Sequence, residues 1–171
     1  SMNLKVIQGD ALEFLKSTGS DSFDIILCFG PLYHMREASH RAACIKEICR
    51  VCTDQGKMFF AFINNDMVIT TQTMVYDSNY METGSYDKDT FKVEDFPFIF
   101  YTVSDARKLL EQSGVTIEKE IASDGMSELL ADKINQMRDQ AYKQWIKYHF
   151  YTCEKPEFLG ASNHLLFVGK K

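Results

Sequence analysis

The apolar positions along this chain change period several times, and each change predicts an element. Asp24-Ile-Ile-Leu-Cys-Phe29 and Lys57-Met-Phe-Phe-Ala-Phe-Ile63 are almost unbroken apolar runs, the pattern of strands covered on both faces. Leu4-Lys-Val-Ile-Gln8 reads as a further short strand that ends in Gly9-Asp10. Val115, Ile117 and Ile121 alternate and predict a strand over 115–121, and Leu165–Val168 mark a last one over 163–169. Between these runs the period lengthens to that of a helix. Leu12 and Leu15 give a short helix over 11–16. Ala38, Ala42, Ile45, Ile48/Cys49 and Cys52 form one stripe of an amphipathic helix over 36–52. Thr53-Asp-Gln-Gly56 reads as the turn that ends it, with Gly56 available for a left-handed position. Ser104 suits the cap of a helix over 104–113 that Gly114 stops. Leu130, Ile134, Met137, Ala141, Trp145 and Tyr148 predict one long helix over 127–150.

No period holds between 64 and 101. Met67, Met74, Tyr76, Tyr80, Met81, Tyr86, Phe91, Phe96, Phe98 and Phe100 are interrupted there by polar turn residues. The segment reads as an irregular lid or substrate-facing insertion with a short hairpin at most; ordinary covering of the core suits the same composition equally well. The alternation of strands and helices around it predicts an α/β architecture with a mostly parallel sheet. In such sheets a ligand sits outside the carboxyl ends of the strands.

Composition adjusts this picture in few places. The 171 residues suit one domain, and 45% hydrophobic with 25% charged residues suits a folded chain. Lys+Arg 19 against Asp+Glu 24 gives a net charge of −5, which disfavours a nucleic-acid or anionic-membrane binder. No apolar run approaches the ~18–20 residues of a membrane helix. The opening residues carry no basic-then-apolar pattern of a secretory signal, and Ser1-Met2 resembles a tag-cleavage scar. The five cysteines, an odd count, fit free thiols in the cytoplasm. Cys49-Arg-Val-Cys52 has C-x-x-C spacing, but no second pair completes a metal site, so two small apolar residues near a helix end is the favoured reading.

Candidate chemistry gathers at two strand ends. Asp10, followed by Ala11, places a carboxylate at the start of a helix. It could accept hydrogen bonds from a ligand or simply cap that helix, and the cap is the commoner use. Phe29-Gly30-Pro31-Leu32-Tyr33-His34 follows the second apolar run. Gly30 lets backbone approach a ligand closely, while Tyr33 and His34 bring a phenol and an imidazole suited to acid–base work or to packing. His149 and His164 read as structural residues.

Several stretches together resemble class I S-adenosylmethionine-dependent methyltransferases, in particular a bacterial branch of small-molecule enzymes. Val6-Ile-Gln-Gly-Asp-Ala11 is similar to that family's third strand, Ser22-Phe-Asp-Ile-Ile-Leu27 to its fourth, and Gly30-Pro-Leu-Tyr-His34 to the loop that follows. Glu47-Ile-Cys-Arg-Val51 resembles its helix end and Lys57–Ile63 its fifth strand. Trp145-Ile-Lys-Tyr-His149 and Gly160-Ala-Ser-Asn-His164 resemble its inserted helix and seventh strand. The resemblance implies a Rossmann-like sheet and methyl transfer to a small-molecule or unidentified acceptor. It places Asp10 and the Ala11 N–H beside the donor's adenine, and Phe29, Gly30 and Pro31 along the donor's methionine part. It makes His34 the expected base for the acceptor, with Tyr33 orienting it.

Two departures shape the remaining expectations. Thr53-Asp-Gln-Gly56 stands where the family has Lys-Pro-Gly-Gly, and none of the nine glycines forms G-x-G-x-x-G. The family's first two strand–helix units, about 60 residues at about 30 each, have no counterpart before Leu4. The chain is therefore expected to be a single incomplete methyltransferase domain over 1–171, with a lid at 64–101 and a helical insertion at 127–160. Weak S-adenosylmethionine binding is expected of it alone, and a homodimer or swapped assembly is expected to cover the open sheet. A non-catalytic dimerising remnant, or another α/β enzyme binding a nucleotide-like ligand, are the alternatives.

Overall fold

The computed structural model describes residues 4–171; the Ser1-Met2 start lies outside them. A five-stranded sheet forms the centre, with the order β1 (Phe23–Cys28), β2 (Cys52–Asn64), β5 (His164–Lys170), β4 (Thr116–Ala122). The two-residue β3 (Phe100–Tyr101) pairs with the end of β2. β1 and β3 run parallel to β2, while β5 is antiparallel to both β2 and β4. Four strands thus share one direction and only β5 opposes them, which is the mostly parallel sheet the alternation predicts.

The core lies on one face. α3 (Ala38–Val51) turns Cys44, Ile45, Ile48 and Val51 inward, as its stripe requires. They meet Met58, Phe60 and Phe62 of β2, Leu12 and Leu15 of α1 (Ala11–Ser17), and Leu110 of α6 (Val103–Gln112). Phe60 and Phe62 are fully buried, and each such side chain stabilises the fold by about 2–3 kcal/mol. Phe62 packs edge-on against Tyr101 and Phe167, which ties β2 to β3 and β5.

Several expectations need correction. Leu4–Gln8 forms no strand: Leu4 is 78% and Val6 83% exposed, and the segment does not close against β1. A strand persists only where its backbone groups find a ladder partner, and this segment has none. Among the described residues nothing pairs with the outer edge of β1, and Ile25, Leu27 and Phe29 are largely exposed, so β1 is not covered on both faces as its apolar run predicts. The turn at Thr53–Gly56 is an excursion inside β2. Between the pairs Phe23–Cys52 and Ile25–Lys57, β2 loops out. Gly56 serves close approach there, since a Cβ would lie 2.9 Å from the Asp24 carbonyl and 2.5 Å from Cys52 Sγ.

The lid is more helical than its composition suggests. α4 (Asn65–Thr71) starts at the end of β2, capped by Asn64, and relaxes into a π-helical turn over Gln72–Tyr76. α5 (Tyr80–Thr83) and a bridge between Tyr86 and Val93 follow. The cap before α6 is Thr102, whose hydroxyl accepts the Asp105 N–H at 3.1 Å, two residues earlier than Ser104. The long helix over 127–150 is broken into turns, α7 (Ala131–Asn135) and α8 (Asp139–Thr152). Of α8 only Thr152 is buried, and Tyr142, Tyr148, Phe150 and Tyr151 are largely exposed, so its apolar stripe does not face a core. α2 (Pro31–His34) and α9 (Pro156–Leu159) are single turns begun by proline. No helix among the described residues is long and apolar enough to cross a membrane.

Candidate functional site

The first strand end divides its residues. Asp10 caps α1, its Oδ1 accepting the Glu13 N–H at 3.0 Å. Gly30 has a φ of +132°, a conformation that side chains rarely adopt, and it lets Pro31 open α2 immediately after β1. Ala11 and Pro31 line one apolar cavity of about 290 Å³, together with Phe14, Ile25 and Leu27. Asp10, Phe29 and Gly30 are not part of that lining. Tyr33 and His34 project from α2, their rings 5.0 Å apart. Both rings meet Phe98, at 6.1 Å and 5.1 Å, and the Ile99 N–H donates to the Tyr33 carbonyl at 2.8 Å. His34 is exposed, and its contact with Tyr33 is between rings rather than a hydrogen bond.

Phe98 belongs equally to a larger cavity of about 550 Å³ at the carboxyl end of β2. Tyr76, Tyr80, Phe96, Phe98 and Phe100 from the lid form its walls. Glu128, Asn163 and His164 close it from the C-terminal part of the chain. Polar side chains that are themselves buried hold this frame. Asn64 donates to the carbonyls of Gly160 and Ser162 at 3.1 and 2.9 Å. Asn65 accepts the Val93 N–H at 2.8 Å and donates to the Phe91 carbonyl at 2.9 Å, tying the start of α4 to the 91–93 stretch. Asn163 bonds Thr71 and donates to Glu128 Oε2 at 2.7 Å, while the Tyr76 hydroxyl donates to Glu128 Oε1 at 2.6 Å.

Asp124, just after β4, organises the remaining corner. It receives hydrogen bonds from the Ser162 hydroxyl, from the His164 backbone N–H at 3.1 Å, and from His164 Nδ1 at 2.8 Å. Burial would lift the Asp124 carboxyl, but the bonds from His164 and Ser162 outweigh it and hold the group below its ordinary range. The hydrogen bond to Asp124 raises the His164 imidazole above its usual value against the opposing effect of burial. Sequence reasoning treated His164 as structural. The available signal was the polar stretch Gly160-Ala-Ser-Asn-His164 entering an apolar strand, but its partner Asp124 is 40 residues away. The C-x-x-C pair carries no such constellation. Burial pushes the Cys49 thiol up to about 11, leaving it protonated at neutral pH.

Comparisons with known proteins fit this architecture. A family model described as a methyltransferase domain matches residues 1–122. The chain belongs to the class I S-adenosylmethionine-dependent methyltransferase family. A SAM-dependent methyltransferase of Thermotoga maritima superposes with a TM-score of 0.57 at 13% identity, over 98% of this chain and 64% of its own. One from Archaeoglobus fulgidus gives 0.54 at 11% identity, over 96% of this chain and 66% of its own. At this identity the likeness concerns the fold. The chain thus spans just under two thirds of the length of these relatives. No curated protein matches it.

The residues present fit one wall of a donor site. Ala11 and Pro31 share an apolar cavity, Gly30 leaves its backbone uncovered by a side chain, and Asp10 stands at the head of α1 with one oxygen committed to its cap.

Proposed function

We propose that this chain holds a small-molecule methyl acceptor in the aromatic cavity and presents it to S-adenosylmethionine lying against the loop after β1. The observation that carries this reading is the shared wall: Phe98 lines the cavity and packs on Tyr33 and His34 of the donor-side loop. The donor, when bound, supplies a methyl group already activated on a sulfonium. The protein's part is to position the acceptor, keep water away and take up a proton. Ala11, Gly30 and Pro31 would flank the donor, with Asp10 and Phe29 at its margins. Tyr33 and His34 would stand between donor and acceptor. The contacts these residues offer the donor are few and mostly apolar, so their grip on it is weak.

The test is a titration with S-adenosylhomocysteine followed by calorimetry and by the NMR signals of Tyr33 and His34. Those signals shift at millimolar ligand, without a low-micromolar heat. Low-micromolar affinity would overturn the weak grip, and unmoved signals at millimolar ligand would overturn the donor wall.

The open β1 edge supports a second element of the reading. Ile25, Leu27 and Phe29 leave an apolar strip beside unpaired backbone groups, a surface that invites pairing. A second copy of the chain covers it in a homodimer or swapped assembly. Light scattering gives a dimer on this account and a clean monomer against it. The substitution Leu27→Glu shifts the chain towards monomer.

A further inference from the structure

The aromatic cavity has a definite electrostatic character. Its lining includes Glu94 and Glu128 and, among the described residues, neither lysine nor arginine; the nearest cations, Arg36 and Lys92, lie over the Phe96 and Phe100 rings at 5.2 and 5.9 Å. Glu128 is fixed by Tyr76 and Asn163 from two sides, so its charge cannot swing away. Tyr76, Tyr80, Phe96 and Phe98 offer ring surface to an apolar body or a cation. An anionic acceptor would meet two like charges here, whereas an ammonium would meet two opposite ones.

His164 adds a proton acceptor to this lining. Its Nδ1 is committed to Asp124 Oδ2 at 2.8 Å, which fixes ring orientation and places the donor hydrogen on Nδ1. Nε2 therefore carries the free lone pair, and it has no partner among the described residues. Asp124 is itself fixed by the Ser162 hydroxyl and the His164 N–H. By contrast, no side chain orients His34 through a hydrogen bond among the described residues.

We propose that the cavity takes an amine carried on an aromatic-sized apolar body, and that His164 Nε2 receives the amine's proton while Asp124 positions the ring. This rests on reading the cavity as the acceptor site. In the step, one N–H bond of the ammonium breaks. Its electron pair stays on nitrogen, the proton moves to Nε2, and the resulting imidazolium is balanced by the Asp124 carboxylate. An alkylammonium holds its proton roughly ten thousandfold more tightly than an imidazole, so the free amine is a minor species. Raising the affinity of His164 narrows that gap, and this is the work Asp124 does. The titratable groups around His164 are Asp124 and Glu128 from the segment after β4, and Glu94, Tyr76 and Tyr80 from the lid.

The test uses the whole chain and three probes of one shape: phenethylamine, 2-phenylethanol and phenylacetate. Binding is followed by NMR through the imidazole signals of the four histidines. Phenethylammonium binds about tenfold or more tightly than phenylacetate, shifts the His164 signal and lowers the pH at which His164 titrates. Glu94→Gln, whose side chain holds no structural bond, brings the amine close to the alcohol. Asp124→Asn lowers the His164 titration in the free protein while the amide spectrum stays folded. Equal or tighter binding of phenylacetate, or an amine that binds without moving His164, overturns the proposal. The S-adenosylhomocysteine titration is read separately at Tyr33 and His34. Failure there with success here removes the donor wall and leaves the amine pocket standing; the reverse removes the pocket.

Discussion

The two ends of the parallel strands contrast sharply. At the end of β1 the groups are presented but not held: His34 is exposed beside two rings and Phe29 is 53% exposed, while Asp10, ahead of α1, is turned to its own helix. At the ends of β2 and β4, buried asparagines tie α4 to the entry of β5 and to the 91–93 stretch, and a carboxylate fixes an imidazole. The difference teaches that an acid–base residue is recognised by what holds it. Imidazoles occur at both ends, but only His164 has a defined tautomer and a defined free nitrogen. A held side chain keeps its geometry through a reaction, and an unheld one must be ordered by its ligand.

The largest effect that would sharpen this contrast lies in the floor of the held end. Phe62→Ala removes a fully buried ring between Tyr101 and Phe167, and urea unfolding registers a loss of about 3–5 kcal/mol. Val6→Ala, in the exposed segment before Asp10, changes stability by less than ~0.5 kcal/mol. Comparable losses at both positions would mean the segment before α1 is packed in solution.

A smaller effect concerns the Asp124–His164 pair and depends on pH. The His164 affinity is raised on folding, so its contribution is full below its ordinary value of 6.5 and fades as pH rises through the raised one. The Asp124 value is depressed, so its contribution is present above the ordinary 3.8 and fades as pH falls through the depressed one. Asp124→Asn therefore costs most in the window between those values. The cost is about 1–2 kcal/mol after allowing for the half-exposed imidazole. A cost independent of pH would show that Asp124 acts through Ser162 and the backbone alone.

Asp10→Ala probes the looser end and has the smallest effect of these. Loss of the α1 cap costs about 1 kcal/mol in thermal or urea unfolding. No change at all would free Asp10 from its cap and return its carboxylate to the ligand.

Much of the frame was legible in the sequence. The apolar run around Phe60 announced a buried strand because burial on a sheet leaves a local trace every second residue or in every residue, whereas the run around Ile25 announced a strand but not its exposure. The Ala38–Val51 stripe announced its helix for the same reason at the longer period. Leu4–Gln8 misled because its composition favours a strand while a strand also needs a neighbour. The lid's helices were hidden in part because bonds that hold α4, from Asn65 to Phe91 and Val93 and between Thr71 and Asn163, join residues far apart in the chain. The loop after β1 was legible as a proline-led turn that carries Tyr33 and His34. The pairing of Asp124 with His164 was not, because it is made by two strands meeting from distant parts of the chain.

The most direct test compares the two histidines in one sample. The imidazole signals of His34 and His164 are followed across pH, with and without saturating phenethylamine. The account predicts that the amine moves the His164 titration to lower pH and leaves that of His34 in place. An amine that moves His34 and leaves His164 untouched would contradict it.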